Sequence, residues 1–470
     1  MTAMRVMVVT SLYPYGQGEA FVAAELEHLS RCFDDIQLVP IFYTPDSAPR
    51  PVRQRVNLAY ADERWGVLRG LRVAASLLAG LLRYRWAGDL RHILRHGNKL
   101  DNLKELVRAL YRARLFERFL ATQFRGNNAD GKGGEGKFDL IYFYWMLPEI
   151  LGALAFRDAS GCPVRIVSRG HGGDLYEDRK PGGYAGLRRG VVAGIDAVYP
   201  ISDHGTRYLS ERFPRQAAKF HTARLGVDDP GFLNVQPAGG ALSIVSCSFV
   251  VSGKRLHLIV DAIAHLLAAD PGLTLRWTHV GDGPLFGALR THAASRLGLR
   301  AQAIFKGYLT QAELMELYRD EAFDAIVNVS DNEGIPVSLM EACAAGIPMI
   351  ATDVGGTAEI VNAANGVLIP ADADPATIAA TLAAAILRLR DRGAARAWRR
   401  SARLHWEAHF NAAANYGRFG RTLAAAAHRD AHPATGAAAD MGTDANADVE
   451  AGKAGAGHPI LPRDAGRAAR

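Results

Sequence analysis

Cysteine is scarce in this chain of 470 residues, which contains only four. The four lie far apart and match neither the spacing of a redox motif nor that of a zinc site. This argues against a disulfide framework and predicts buried thiols in a reducing, cytoplasmic compartment. Their positions are Cys32, Cys162, Cys247 and Cys343.

Long apolar runs are also lacking. The longest in the first third, residues 73–82, is much shorter than the roughly 20 residues that a helix needs to cross a bilayer. The chain opens directly on a strand-like segment at residues 5–10, so no signal peptide is expected. A transmembrane protein is therefore not predicted, and only peripheral contact with a membrane remains to be considered.

The positive charge is concentrated in one segment. Between residues 61 and 125, fourteen basic side chains stand against six acidic ones, an excess that accounts for the whole net charge of +7. Aromatic residues are interleaved, and the pattern is helical, which predicts contact with an anionic membrane surface. The alternative is a solvated helix pair packed on the N-terminal domain. No nucleic-acid motif accompanies the charge, so nucleic acid is not an expected partner.

One segment of the second half combines a strand, a tight turn and a helix start. Residues 325–329 form an apolar run typical of a buried strand, and residues 336–345 show a helical pattern. Pro336 suits the first helical position, because its φ is compatible with a helix and its missing N–H needs no partner there. Free main-chain N–H groups and the helix dipole favour phosphate at such a point.

Two carboxylates with seven residues between them flank this helix start, Glu333 in the turn and Glu341 on the second helical turn. A carboxylate in contact with phosphate would repel it, but it accepts hydrogen bonds from hydroxyl groups. We therefore interpret the pair as acceptors for a sugar and a ribose beside a phosphate site. The alternative is two glutamates on a solvated helix face.

This arrangement resembles the Glu-x7-Glu signature of the retaining glycosyltransferases of family 4, which have the GT-B fold. The resemblance implies that Glu333 binds hydroxyl groups of a donor sugar and that Glu341 binds the ribose of its nucleotide. A strand and a Gly-Gly turn follow, as in the donor-binding half of that family. The residues expected around the donor at the helix start are Gly334, Ile335, Pro336 and Val337.

Further donor-binding residues follow from the same resemblance. Lys254 stands after a predicted strand, at the place of the family's phosphate-binding lysine, where open α/β sheets bind ligands. Ser248 occupies the place of the family's arginine, so either Arg255 substitutes or positive charge comes from elsewhere. Gly281 and Gly283 resemble the family's Gly-x-Gly-Pro turn, in which glycine lets the chain reverse close to a ligand.

In the first half, a His-Gly-Gly-Asp stretch at residues 171–174 follows a predicted strand and resembles the family's His-Gly-x-Asp. This implies that His171 lies near the donor sugar and the reaction centre, although a lone histidine is more often structural. Asp174 and Glu19 are expected to bind the acceptor. Gly16 and Gly18 lie in the first strand-to-helix loop, which approaches the diphosphate or the acceptor in that family, although its usual Gly-Gly pair is absent here.

Strand and helix patterns alternate through both halves, which predicts an α/β protein with two Rossmann-like, doubly wound domains facing across a cleft. Residues 1–228 are expected to bind the acceptor, with a basic helical insertion at about 64–124. Residues 241–400 are expected to bind the nucleotide sugar and residues 401–427 to form a helix that returns to the first domain. Residues 428–470 have few large apolar side chains and are predicted to be a disordered tail.

The predicted function is transfer of a hexose, with retention of configuration, from a UDP- or GDP-linked sugar to a glycan or lipid-linked acceptor in surface polysaccharide or lipopolysaccharide assembly. The expected location is the cytoplasm or the inner face of its membrane. No metal or other cofactor is expected, because Lys254 and the helix start can balance the phosphate charge. The alternatives are a non-hydrolysing nucleotide-sugar epimerase and a catalytically impaired binding partner, the latter suggested by Ser248.

Overall fold

The computed structural model describes residues 3–16, 19, 21–43, 48–63, 69–95, 98–125 and 138–428. Gly18 and the predicted tail beyond residue 428 lie outside the described residues. The strands are β1 Arg5–Thr10, β2 Asp35–Pro40, β3 Arg55–Val56, β4 Leu140–Phe143, β5 Arg165–Gly170, β6 Ala197–Pro200, β7 Leu242–Cys247, β8 Leu275–Val280, β9 Ala301–Gly307, β10 Ala325–Asn328, β11 Met349–Thr352 and β12 Gly366–Ile369. The α-helices are α1 Val22–Leu29, α2 Ala59–Glu63, α3 Arg69–Arg83, α4 Ala87–Arg95, α5 Lys99–Arg125, α6 Glu149–Ser160, α7 Gly172–Leu175, α8 Arg188–Gly194, α9 Asp203–Arg212, α10 His257–Ala269, α11 Phe286–Arg296, α12 Gln311–Asp320, α13 Val337–Ala344, α14 Pro375–Arg388, α15 Arg392–His409 and α16 Ala412–His428.

The strands form two sheets of six parallel strands each, in the orders β3-β2-β1-β4-β5-β6 and β12-β11-β10-β7-β8-β9. In each sheet the first strand of that half, β1 or β7, lies at the point where the strand order reverses. Both faces of such a sheet carry helices, and ligands bind outside the carboxyl ends of the strands at that point. The prediction of two Rossmann-like, doubly wound domains is confirmed.

Within its described residues, 69–95 and 98–125, the basic insertion contains the three helices α3, α4 and α5. Of its interleaved aromatic side chains, Trp86 and Tyr111 are half-buried, whereas Tyr84, Phe116 and Phe119 are buried and join the cores beside the first sheet. The interpretation of these rings as part of a membrane-contacting surface is therefore wrong. They anchor the insertion to the domain, since burial of an aromatic side chain is a large apolar contribution to stability.

The chain returns to the first domain through α16 alone. Trp398, Ala402 and Trp406 of α15 pack in the cores of the second sheet, whereas Phe419 and Leu423 of α16 pack in a core of the first. The returning helix therefore starts at Ala412, later than the predicted residue 401. The turn between the two helices is tied to the interdomain connection, where the main chains of residues 227 and 411 form a parallel bridge.

The four cysteines are free thiols, of which Cys343 is buried and the other three are partly exposed. The expectation that all four are buried is therefore wrong for three of them. Cys343 donates its S–H to the carbonyl oxygen of Ala402 at 2.9 Å.

A buried ion pair joins three elements of the first domain. Arg169 on β5 and Glu25 on α1 are both almost fully excluded from solvent, and their Nε and Oε2 atoms are 3.0 Å apart. The Tyr142 hydroxyl donates to Glu25 at 2.6 Å, and the guanidinium carbon lies 4.1 Å from the centre of the Phe419 ring on α16. A charge in such surroundings is tolerated only with its partner in place.

Removal of one partner should therefore destabilise the fold strongly. We expect Glu25→Ala to lower the free energy of unfolding by about 3–5 kcal/mol, because the Arg169 charge is left buried without compensation. Urea denaturation measures the change. The control is Glu27→Ala on the same helix, whose side chain is 73% exposed and whose loss should change the same quantity by less than about 0.5 kcal/mol. Equal effects of the two substitutions would contradict this account.

Candidate active site

Lys254 and Glu333 meet at the carboxyl edge of the second sheet. The Lys254 Nζ atom is 2.5 Å from Glu333 Oε1, and the Asn328 side-chain amide donates to the same oxygen at 3.3 Å. Lys254 follows β7 and Glu333 follows β10, and these two strands are neighbours in the sheet. The strand order therefore brings together two residues that are 79 positions apart in the sequence.

The start of α13 lies directly after Glu333. Pro336 has extended backbone angles (φ −76°, ψ 109°) and is the N-cap, so the prediction that it occupies the first helical position is wrong. Its carbonyl oxygen accepts from the N–H groups of Leu339 and Met340, at 3.1 and 3.3 Å. Among the described residues, the main-chain N–H groups of Val337 and Ser338 donate no hydrogen bond, and both residues are only half-buried. This helix start thus retains donors that an anion can accept.

Glu341 lies one helical turn further along the same edge. Its carboxyl group is buried and accepts a hydrogen bond from the Gln311 amide at 3.2 Å. Burial raises the pKa of this group to about 7. Burial raises the pKa of the Cys247 thiol, at the end of β7, to about 12. The charge of Glu341 also raises this pKa, and that of Lys254 lowers it. A cavity of about 240 Å³ opens beside Glu341.

Two glycines of the predicted donor site are needed for packing of main chain against main chain. Gly281 has φ +134°, and a Cβ atom there would lie 1.9 Å from the carbonyl oxygen of Ser248. At Gly283 a Cβ atom would lie 2.6 Å from the carbonyl oxygen of Val250. The glycines therefore let the turn after β8 pack against the segment after β7, and the close neighbour is protein rather than ligand.

Arg255 is directed away from the position expected of a phosphate ligand. Its guanidinium donates to the carbonyl oxygens of Val329 and Ser330, at 2.7 and 2.9 Å, and its backbone is left-handed (φ +47°). It braces the loop after β10. The expectation that Arg255 replaces the family arginine at the position of Ser248 stays a prediction.

His171 occupies the facing edge of the first sheet, after β5. Its ring is 5% exposed, and neither ring nitrogen has a hydrogen-bond partner among the described residues. Burial and, to a lesser extent, the nearby Arg169 guanidinium hold the pKa of the imidazole well below its usual value. His171 is therefore neutral, and one of its nitrogens can accept a hydrogen bond.

The Asp174 carboxylate holds the loop that carries His171. One oxygen accepts from the main-chain N–H of His171 at 2.6 Å, and the other accepts from the N–H of Met146 at 2.5 Å. Burial raises the pKa of this carboxyl group above its usual value, and these hydrogen bonds offset only part of the rise. Both oxygens are thus engaged by the protein, and the expectation that Asp174 binds an acceptor stays a prediction.

The Glu19 carboxylate is used in a similar way in the loop after β1. It accepts from the main-chain N–H groups of residues 11, 12 and 13, at 3.1, 2.6 and 2.6 Å, and from the indole N–H of Trp145. Glu19 therefore shapes this loop, and the expectation that it binds an acceptor stays a prediction. Gly16, in the same loop, has a left-handed backbone (φ +68°) that glycine adopts without strain.

The two edges touch at Gly172 and Gly334. A Cβ atom on Gly172 would lie 2.7 Å from the Gly334 nitrogen, and one on Gly334 would lie 2.6 Å from the Gly172 nitrogen. Arg179 donates to the carbonyl oxygen of Glu333 at 2.9 Å, and Gly356 donates to that of Gly334 at 2.8 Å. His171 and Glu333 consequently lie on loops in direct contact. Sequence reasoning missed Arg179, and the only signal for the contact was glycine next to each predicted site residue.

Within the described ranges, no group of three or more His, Cys, Asp or Glu side chains is arranged to hold a metal ion. The expectation that the reaction needs no metal stays a prediction.

Residues 242–391, which contain all six strands of the second sheet, match the family model described as "Glycosyl transferases group 1". The provisionally named colanic acid biosynthesis glycosyltransferase WcaL of Salmonella typhimurium is 32% identical over 244 residues, or 50% of this chain and 59% of that protein. The amylovoran biosynthesis glycosyltransferase AmsK of Erwinia amylovora is 31% identical over 184 residues, or 37% of this chain and 42% of its own. The matches thus span less than two thirds of the length of these relatives.

Solved structures resemble almost the whole chain. The lipopolysaccharide outer core galactosyltransferase WaaB in its apo form superposes with a TM-score of 0.62 at 14% identity, over 90% of this chain and 99% of its own. Anabaena HepE in complex with UDP and glucose superposes with a TM-score of 0.59 at 16% identity, over 90% and 100%. The protein has the GT-B fold. At these identities the likeness establishes the fold alone.

The pKa of Glu341 leads to a prediction for the GT-B protein without ligand. The carboxyl group has its usual pKa near 4.5 when unfolded and about 7 when folded, so its ionisation opposes folding. This cost is small below the unfolded pKa and grows as the pH rises through 7. We expect Glu341→Gln, which stays neutral, to be more stable than wild type by on the order of 3 kcal/mol at about pH 8, and by much less at about pH 5.

Urea denaturation at the two pH values measures this difference. The control is Glu316→Gln, an exposed carboxylate on α12, for which the difference from wild type should be the same at both. A difference for Glu341→Gln that does not grow with pH would contradict the raised pKa.

Proposed function

We propose that this protein is a retaining glycosyltransferase of the family 4 type, which transfers a hexose from a UDP- or GDP-linked sugar to a glycan or lipid-linked acceptor. The observation that carries the proposal is the meeting of Lys254 and Glu333 at the start of α13. The acceptor class, a surface polysaccharide or lipopolysaccharide under assembly, is supported by the names of the relatives WcaL and AmsK and of the structural neighbour WaaB.

In this proposal the diphosphate of the donor binds Lys254 and the free N–H groups of Val337 and Ser338. During transfer the anomeric carbon becomes oxocarbenium-like, and negative charge grows on the leaving diphosphate. A cation and preorganised N–H donors in a cleft from which water is excluded stabilise that charge by an amount often worth several kcal/mol. An ammonium has three donors, so Lys254 can keep its bond to Glu333 while it binds phosphate.

The carboxyl groups and the histidine orient the hydroxyl groups. Glu333 is expected to accept from hydroxyls of the donor sugar, and Glu341 to bind the ribose beside its small cavity. With a pKa of about 7, Glu341 is partly protonated at neutral pH, and so it can donate as well as accept. The neutral His171, next to the Glu333 loop, is expected to accept from a hydroxyl of the sugar or of the incoming acceptor.

A catalytically impaired binding partner of the same fold is the second candidate. It is favoured by Ser248 at the place of a phosphate-binding arginine and by the engagement of Arg255 with main-chain carbonyls. Donor binding without any release of nucleotide diphosphate would favour this candidate over the enzyme.

A thermal-shift screen with UDP- and GDP-sugars tests the proposal. We expect one of them to raise the melting temperature with concentration, since it binds the folded state only. With that sugar, Lys254→Ala and Glu333→Ala should each lower the release of nucleotide diphosphate by at least about tenfold, because each removes an interaction with the donor.

The matched control is Lys306→Ala. Lys306 pairs with Glu321 at 3.0 Å on the same sheet but away from the proposed site, and its loss should leave release unchanged. Turnover like that of wild type in both Lys254→Ala and Glu333→Ala, or no binding of any nucleotide sugar, would refute the assignment.

We also propose that the insertion contacts an anionic membrane, through leucines instead of the aromatic residues. The described residues include sixteen exposed large apolar side chains, of which seven lie on α3, α4 and α5. Three of these, Leu100, Leu103 and Val107, are spaced three and four residues apart and so lie on one side of α5. This helix belongs to the segment that carries the basic excess. None of the helices in the described part of the chain is long and apolar enough to span a bilayer. The seven are Leu78, Leu81, Leu82, Leu94, Leu100, Leu103 and Val107.

Co-sedimentation with vesicles at low salt tests the membrane proposal. Wild type should bind vesicles that contain phosphatidylglycerol and leave neutral phosphatidylcholine vesicles unbound, because basic residues are attracted to anionic lipid. The double variant Leu82→Glu/Leu100→Glu should lose at least about fivefold of the binding, because each substitution replaces an apolar contact by a like charge to the lipid. Leu299→Glu, at a fully exposed position in the second domain, is the control. Binding by the double variant equal to that of the control would contradict the proposal.

A further inference from the structure

Four rings gather where β1, β4 and β5 end. Trp145 and Tyr144 follow β4, His171 follows β5, and Phe21 stands at the end of the loop after β1. The ring centres of Trp145 and His171 are 4.4 Å apart, those of Tyr144 and His171 are 5.0 Å apart, and those of Phe21 and Trp145 are 6.5 Å apart. These three strands are neighbours in the first sheet, so their carboxyl ends build one continuous aromatic cluster.

The cluster has a buried base and an accessible surface. Tyr144 and His171 are buried, whereas Phe21 and Trp145 are only half-buried. His171 brings two ring nitrogens without a partner among the described residues into this apolar setting, where an unmade hydrogen bond is costly. A ligand with an apolar face and hydroxyl groups would pack on the accessible rings and form hydrogen bonds with the histidine at the base.

One member of the cluster, His171, lies next to the contact between the two domains. Gly172, the residue after His171, is in main-chain contact with Gly334, and Glu333 lies on the same loop. In the proposed function, the second domain holds the donor through Lys254 and Glu333. The cluster belongs to the opposite edge, so the ligand left for it is the acceptor.

Glu19 fixes the orientation of Trp145. Its carboxylate accepts from the indole N–H and, at the same time, from three main-chain N–H groups of the loop after β1. The indole is therefore held at its polar edge. The His171 ring covers part of it, and the exposed part of this half-buried side chain is available to a ligand. A pyranose presents C–H groups on one side of its ring, and the electron-rich face of an aromatic ring attracts such weakly positive groups.

We propose that Trp145 binds the acceptor as the platform for a hexopyranose ring, with Phe21 beside it and Glu19 as the residue that positions the indole. This inference rests on the proposed function and names the acceptor subsite of the same cleft. It replaces Glu19 and Asp174 as direct acceptor ligands, since their carboxylates are engaged by the protein itself.

The test separates transfer from donor hydrolysis. The acceptor probes are octyl glucosides, galactosides and mannosides of both anomeric forms, supplied with the nucleotide sugar that gives the largest thermal shift. For the glycoside that the wild type uses, Trp145→Ala should lower kcat/KM for transfer at least about tenfold, mainly through KM. Hydrolysis of the same nucleotide sugar without acceptor should stay within about twofold of wild type, because the donor contacts are intact. Trp145→Phe, which keeps an aromatic face, should retain most of the transfer.

The role of Glu19 needs its own readout. Glu19→Ala should raise KM for the glycoside, and Glu19→Gln should restore part of it, because an amide oxygen still accepts from the indole N–H. The near-ultraviolet circular dichroism assigned to Trp145, taken as the difference between wild type and Trp145→Phe, should weaken in Glu19→Ala and recover in Glu19→Gln.

The matched control is Trp86→Ala. Trp86 is also half-buried, and its indole donates to a carbonyl oxygen at 2.8 Å, but it lies in the insertion. Its loss should therefore leave transfer to the octyl glycoside unchanged.

Wild-type transfer by Trp145→Ala would overturn the inference. An equal loss of transfer and hydrolysis would overturn it too, because it would place Trp145 on the donor. If none of the glycosides raises the release of nucleotide diphosphate above the rate of hydrolysis without acceptor, the inference is overturned for pyranoside acceptors. The proposed function itself is refuted by separate results: no binding of any nucleotide sugar by the wild type, or wild-type turnover in both Lys254→Ala and Glu333→Ala.

Discussion

The contact between Gly172 and Gly334 is the constraint on which the arrangement of this cleft depends. A Cβ atom added to either glycine would lie less than 3 Å from the main-chain nitrogen of the other. No side chain therefore fits at either position without movement of the main chain. The contact joins the loop after β5 to the loop after β10. It therefore sets how closely the buried histidine of one domain approaches the lysine–glutamate pair of the other, and Arg179 strengthens it from the first domain.

The carboxylates of the two domains have different tasks because their surroundings differ. Glu19 lies in the loop after β1 and Asp174 in the short helix α7 after β5. Main-chain N–H groups near these strand ends have no partner in a ladder, and a buried carboxylate can bind several of them at once. Among the described residues, the partners of the Glu333 carboxylate are a lysine and an amide, both of which can reorganise around a ligand. The same residue type at a strand end thus serves as a brace or as a ligand, according to how many main-chain donors surround it.

Much of the fold and part of the site could be predicted from the sequence. Alternating apolar strands and helices indicate two doubly wound sheets, and adjacent strand ends explain why Lys254 and Glu333 meet. The role of Arg255 could not be predicted, because its left-handed backbone directs the guanidinium to Val329 and Ser330. The aromatic residues of the insertion were misjudged for a related reason. Interleaving along a sequence does not show which side of a helix faces the core, and Phe116 and Phe119 face inward.

The sequence by itself determined the periodicity of the strands, the position of the helix start after Glu333 and the basic excess of the insertion, since these follow from neighbouring residues. Only the tertiary structure decided that Glu341 is buried enough to carry a raised pKa, that Glu19 holds Trp145, and that four rings from three loops form one cluster. These properties depend on contacts between segments that are distant in the sequence; Glu19 and Trp145, for example, are 126 residues apart. Burial and hydrogen bonding across such distances are set by packing, and no local pattern encodes them.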